Sequence, residues 1–159
     1  MAETDYVKML RESLEKKAEV LQRIQEENVR QSDILTDPNS TPDELDANMN
    51  EKDRLVSRIL QLDDGFEQLF ERVKDSLDAD RSLYADEIRR MQDLIRKITD
   101  LSAEVQAQEQ KNKKLAQAKF SSVRQQVQKV RKSQKAVSSY YRNMMKTTYE
   151  EPQFLDNKK

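Results

Sequence analysis

The sequence predicts an all-α protein: an elongated antiparallel helical hairpin or three-helix coiled-coil bundle that ends in a long basic C-terminal helix. Three observations carry that expectation. The 159 residues include one glycine and three prolines, so the turns, bulges and phosphate loops that use glycine at φ > 0 are largely ruled out. Charged residues make up 37% and hydrophobic ones 35% of the chain, against roughly 25% and 45–50% in an average soluble domain. Apolar side chains recur at alternating three- and four-residue steps, which places them on one stripe of a helix. A chain this polar can cover one thin seam per helix but cannot fill a thick core.

The first helix is expected over residues 4–35, with Thr4 as its N-cap and Asp5 beside the positive helix end. Val7, Leu10, Leu14, Leu21, Ile24 and Leu35 form its heptad seam, interrupted by Lys17, Asn28 and Gln31. Thr36-Asp37-Pro38-Asn39-Ser40 is turn chemistry. Thr41-Pro42-Asp43-Glu44 then starts a second helix. Thr41 caps it, Pro42 takes the first helical position where its missing N–H costs nothing, and Glu44 completes a capping box. A helical hairpin should turn here.

The second helix should run to about residue 77 on the stripe Leu45, Met49, Val56, Ile59, Leu62, Phe66, Leu69, Phe70, Val73 and Leu77. Gly65 lies inside this stripe, as a tolerated interior glycine or as a kink or close helix contact. Polar Asp78 to Ser82 is the place for a second reversal, although without glycine or proline an unbroken helix stays open. A third seam follows: Tyr84, Ile88, Met91, Leu94, Ile95, Ile98, Leu101 and Val105, then Leu115, Val123, Val127, Val130, Val137, Tyr141 and Met144. Gln108 and Asn112 occupy seam positions where leucine is expected, so the seam is weakest, and a hinge expected, near 106–114. Pro152 ends anything helical.

Charge divides the chain more sharply than hydrophobicity does. Residues 1–78 hold 11 Lys/Arg and 20 Asp/Glu, a net of −9, while residues 79–110 hold 5 and 7. No acidic residue occurs between Glu109 and Glu150, where 11 Lys/Arg stand. The expected organisation is an acidic hairpin with the start of the third helix (1–110), a basic amphipathic helix (111–149) and a tail (150–159). Three readings stay open for the basic segment. It packs along the acidic hairpin of its own chain, it docks another protein, or it meets a polyanion or membrane surface. The last sits poorly with the strongly negative hairpin nearby and with a face of valine and tyrosine that lacks tryptophan.

That face is the candidate protein-binding site. Val123, Val127, Val130, Val137, Tyr141 and Met144 keep a four-three rhythm on one side of the helix, and Tyr140 adds amphipathic contact surface. Valine is a mediocre helix former, and eleven like charges repel, so this helix needs something to pack on. Helix-in-groove recognition of an aggregation-prone amphipathic helix is the corresponding function. A structural coiled coil that self-associates through its seam is the rival class, and a basic-helix regulator binding nucleic acid a third.

Other chemistry is poorly served. Histidine and cysteine are absent, which removes disulfides, thiolate catalysis and the usual nucleophile–base pairs. Asp63 and Asp64 read as a solvated face. Asp37-x-Asn39-x-Thr41 imitates the start of a calcium loop, but Pro42 stands where glycine is required and Asn48 where a bidentate glutamate belongs. No catalytic, cofactor or metal residue is expected. The acidic N-terminus lacks the basic and apolar regions of a signal peptide, and no apolar run is long enough to span a bilayer. A cytoplasmic, non-enzymatic protein, monomeric or homodimeric, is the expectation.

The layout resembles the flagellar export chaperones of the FlgN/FliT type, in their clostridial form. The residues that carry the resemblance are Leu14-Glu15-Lys16-Lys17, Asn50-Glu51-Lys52-Asp53, Leu62-Asp63-Asp64-Gly65-Phe66-Glu67, Arg72-Val73-Lys74, Leu94-Ile95-Arg96 and Asn112-Lys113-Lys114. Ser133-x-Lys135-Ala136, Tyr140-Tyr141-Arg142-Asn143-Met144 and Gln153-Phe154-Leu155-Asp156-x-Lys158-Lys159 complete it. The resemblance implies a cytoplasmic chaperone that keeps late flagellar proteins soluble and hands them to the export gate. Its clients would be hook-filament junction proteins or the filament cap, bound through the C-terminal helical region. It implies no catalytic residue and no cofactor.

Overall fold

The computed structural model describes the backbone of residues 2–145 and the side chains of residues 2–133 and 135. Over that range the chain forms three helices, α1 (Glu3–Thr36), α2 (Pro42–Ala79) and α3 (Ala85–Met145). The all-α class expected from the seams is the observed one. Residues 146–159, with the expected stop at Pro152 and the expected tail, lie outside the described residues.

The cap of α1 lies two residues before the expected Thr4. Ala2 holds the cap position in extended backbone (φ −75°, ψ 156°), and its N–H donates to Asp5 Oδ2 at 3.4 Å. The Ala2 carbonyl accepts from the N–H groups of Asp5 and Tyr6 at 3.0 and 3.3 Å. Because that carbonyl already closes the first turn, Thr4 lies within the helix. At the other end the expected turn chemistry operates. Asn39 N–H donates to Asp37 Oδ1 at 2.8 Å, and the Ser40 hydroxyl donates to the Ile34 carbonyl at 2.7 Å. The latter satisfies one of the carbonyls that a helix end leaves open. Thr41 then caps α2, its hydroxyl accepting from Glu44 N–H at 3.3 Å with Pro42 in the first turn.

The second break comes at residues 80–84, two residues later than the estimated helix end. Asp80 N–H still donates to the Ser76 carbonyl, and Tyr84, whose side chain is buried, donates its N–H to the Asp80 carbonyl at 3.2 Å. An aromatic anchor thus fixes a turn built from polar residues. Cross-helix contacts give the directions. Glu3 meets Ser76, Ser13 meets Leu62 and Glu27 meets Asn48, so α2 runs antiparallel to α1. Arg11 meets Glu87, Gln25 meets Glu104 and Asn28 meets Gln108, so α3 returns parallel to α1.

The core is one seam on each helix. Val7, Leu10, Leu14, Ala18, Leu21 and Ile24 of α1 are buried against Leu55 and Val73 of α2 and against Tyr84, Met91, Ile98 and Leu101. Each fully buried aliphatic side chain contributes about 1.5–3 kcal/mol. Ala18 fills the space expected for Lys17, whose ammonium instead reaches Asp63 at 2.7 Å.

The stripe expected on α2 is off by one residue over its first half. Met49, Val56 and Phe70 are exposed, while Asn48, Leu55, Leu62 and Val73 are buried. The seam used follows positions 45, 48, 52, 55, 59, 62, 66, 69 and 73, an unbroken three-four alternation with Asn48 and Lys52 at two of its steps. Two polar residues on the true seam disguise it. Ile95 of α3 is likewise exposed, and Ile98 takes the buried place.

Gly65 is an exposed residue inside an unbroken helix, and a Cβ added there meets nothing within 4 Å. The close-contact reading therefore falls. Gly65→Ala should stabilise the fold by about 0.5–1 kcal/mol, by reducing the freedom of the unfolded chain. Thr41→Ala should cost about 1 kcal/mol through loss of the cap. Urea melts followed by circular dichroism check both, and a destabilised alanine variant at 65 would mean that the backbone there is under a constraint not accounted for.

Candidate protein-binding site

Two compact units divide the chain, Met1–Lys113 and Lys114–Lys159. The first unit carries a layer of amides in its seam, which on α1 lies between buried Ile24 and buried Ile34 and Leu35. Asn28 Nδ2 donates to Gln108 Oε1 at 3.2 Å, and Asn112 Nδ2 donates to the Asn28 carbonyl at 2.9 Å and to Gln31 Oε1 at 3.1 Å. Asn48 Nδ2 donates to the Glu27 carbonyl at 2.9 Å, and Lys52 Nζ donates to Gln31 Oε1 at 3.1 Å and also to Glu109. All three helices contribute. Asn28 Oδ1 and Asn48 Oδ1 are buried without a hydrogen-bond partner among the described residues, and such orphaned groups are costly. Polar groups at seam positions buy register at the expense of stability. Gln108 and Asn112 do so here without interrupting α3, which is helical through 106–114; the boundary between the two units falls inside that same range.

Ion pairs on the hairpin account for its shifted titrations. Arg11 sits half-buried between Glu15 (2.5 Å) and Glu87 (2.6 Å), and the hydrogen bond to Glu87 raises its pKa further. Arg54 binds Glu51 at 2.6 Å and holds that carboxyl below its ordinary range. These are surface and inter-helix pairs. Asp37, Asn39 and Thr41 form the hairpin turn, and Asn48 is turned into the core. Among the described residues no cluster of acids could hold a metal ion, and no helix is long and apolar enough to cross a membrane.

In the second unit α3 continues without a break to Met145. Val123 and Val130 are 46% and 54% exposed, and Val127 is half-buried. The helix around them presents the exposed cations Arg124, Lys129 and Lys132. The backbone of Val137, Tyr140, Tyr141 and Met144 belongs to α3, while their side chains lie outside the described residues. Phe120, also exposed, was not among the expected site residues. It precedes Val123 by three, so the rhythm 120, 123, 127, 130 already contained the signal. Among the described residues beyond Asn112 none is buried. Among the described residues this part of α3 therefore carries an exposed apolar stripe at Phe120, Val123 and Val130 beside exposed cations, while Leu115, Ala116 and Val127 are half-buried.

The family model described as FlgN protein matches residues 1–148 of this chain. No curated protein and no solved structure matches it.

Local stability should follow burial. Amides of 116–133 should exchange faster than those of 55–73, because the former helix buries almost no apolar surface and carries like charges. Exchange followed by mass spectrometry on the free chain checks this. Equal protection in both segments would mean that the basic helix already has a partner surface.

Proposed function

The chain belongs to the FlgN family of flagellar export chaperones, and we propose that its cytoplasmic task is to hold a late flagellar protein through the stripe Phe120, Val123, Val127, Val130, Val137, Tyr140, Tyr141 and Met144. The client would be a hook-filament junction protein or the filament cap, as in the clostridial form that its short motifs resemble, delivered afterwards to the export gate. The observation that carries this reading is the exposure of Val123 and Val130 on α3, in a stretch of sequence without a single acidic residue from Lys111 to Tyr149. An isolated amphipathic helix of a client would lay its apolar side on that stripe. Its acidic residues would meet the flanking Arg124, Lys129 and Lys132, and the acidic hairpin would keep the complex in solution.

The energetics follow from burial. A valine-sized side chain contributes roughly 1.5–3 kcal/mol when covered. Val123→Asp with Val130→Asp should therefore weaken the client complex at least about a hundredfold. Both positions are exposed, so the melting curve of the α1–α2 hairpin should not move. Titration of a purified junction or cap protein by calorimetry reads the loss. Lys129→Gln with Lys132→Gln should act differently, slowing association and flattening its salt dependence, since exposed charges mainly steer encounters. Unaltered client affinity in the aspartate variant would put the client elsewhere on the molecule and reduce the valine stripe to a packing surface.

A further inference from the structure

The register of α2 leaves a second apolar stripe without cover. Met49, Val56 and Leu60 are 49%, 47% and 65% exposed, and their spacing of seven and four residues puts them on one side of the helix. They are the surplus of a helix with two apolar faces, of which the bundle uses the one that contains Leu55, Leu62 and Val73. The electrostatic setting of the stripe is the reverse of that on α3. Exposed Asp46, Asp53 and Asp64 line one side of it, and exposed Glu67 continues its line seven residues past Leu60. Asp46, Asp53 and Glu67 have no cation within ion-pair reach among the described residues.

The basic groups of α2 do not offset this. Lys52 is turned inward to Gln31 and Glu109, Lys74 is held by Glu71 at 2.8 Å, and Arg54 is held by Glu51. Arg58 falls about half a turn away from Val56 around the helix. An exposed row of large apolar side chains is unfavourable in isolation and marks a contact surface when it is contiguous. A rim of unpaired carboxylates selects for cations on what covers it.

We propose that the Met49–Val56–Leu60 face of α2 is a second docking surface, and that its occupant is a cationic amphipathic helix of another protein. Its apolar residues recur at four and seven, and lysine or arginine stands along the flank that meets Asp46, Asp53 and Asp64. The chain then presents two helix-binding faces of opposite charge, the valine stripe for an acidic amphipathic helix and the α2 stripe for a basic one. Such a pair lets one molecule bridge two different partners. The α2 face does not depend on where the client binds.

The test uses the full chain and two synthetic helical peptides with leucines at this spacing, one with lysines along that flank and its twin with glutamates. Fluorescence anisotropy should detect the lysine peptide and not the glutamate twin. Val56→Asp with Leu60→Asp should weaken the lysine peptide at least about a hundredfold, even though two added negative charges would strengthen a purely electrostatic attraction. The milder Val56→Ser with Leu60→Ser, which adds no charge, should weaken it about tenfold and serves if the aspartate variant folds poorly. Equal or tighter binding by both variants would overturn the proposal, because attraction to an acidic surface is then all that is measured. Equal binding of the glutamate twin would overturn it as well. So would sedimentation showing that the free chain self-associates and that the serine variant abolishes this, since the occupant would then be a second copy.

Discussion

Both neighbours of α1 depend on the single apolar seam that it carries. With so few hydrophobic residues, the chain cannot give each pair of helices a private core. Val7, Leu10, Leu14, Leu21 and Ile24 therefore serve α2 and α3 together. The antiparallel hairpin and the parallel return of α3 follow from this sharing, since both helices must lay their own seams on the same side of α1. The ion pairs Arg11–Glu87 and Lys17–Asp63 flank that seam and reinforce the alignment. They contribute little by themselves where they are open to solvent.

Where the seam passes from leucine to amides, stability is exchanged for register. Asn28, Gln31, Asn48, Gln108 and Asn112 form a layer whose hydrogen bonds are satisfied only when all three helices are aligned, and its unpartnered oxygens keep it from being a strong joint. The same layer explains what the sequence made legible. Turn residues and caps act locally, so the break at Thr36 to Glu44 could be read directly, and so could the α1 seam, whose large residues have no competing face. The register of α2 could not. Met49 and Val56 form as good a stripe as Leu55 and Leu62, and the choice between them rests on Asn48 finding the Glu27 carbonyl on another helix. No local pattern contains that partner. Phe120 was a different kind of omission, since the spacing that includes it was already in the sequence.

For the candidate site, the legible part was the charge. The stretch without acids and the rhythm of valines identified the basic helix, and exposure adds that the stripe at Val123 and Val130 is uncovered. Under the proposed function the client is held on this surface, which must bind an apolar helix well enough to prevent aggregation, yet give it up. Valines of moderate area on a marginal helix suit reversible capture better than a deep leucine groove would. Two faces of opposite charge would further allow one partner to be held while another is engaged.

The account turns on the assignment of work between a folded three-helix scaffold and a basic helix that captures the client. Amide exchange of the full chain, compared with and without a purified junction or cap protein, tests that assignment most directly. The account predicts a large gain of protection in residues 116–145, with the α1–α2 core around Leu10, Leu55 and Val73 unchanged. A gain confined to α1 and α2, with 116–145 exchanging as in the free chain, would contradict it.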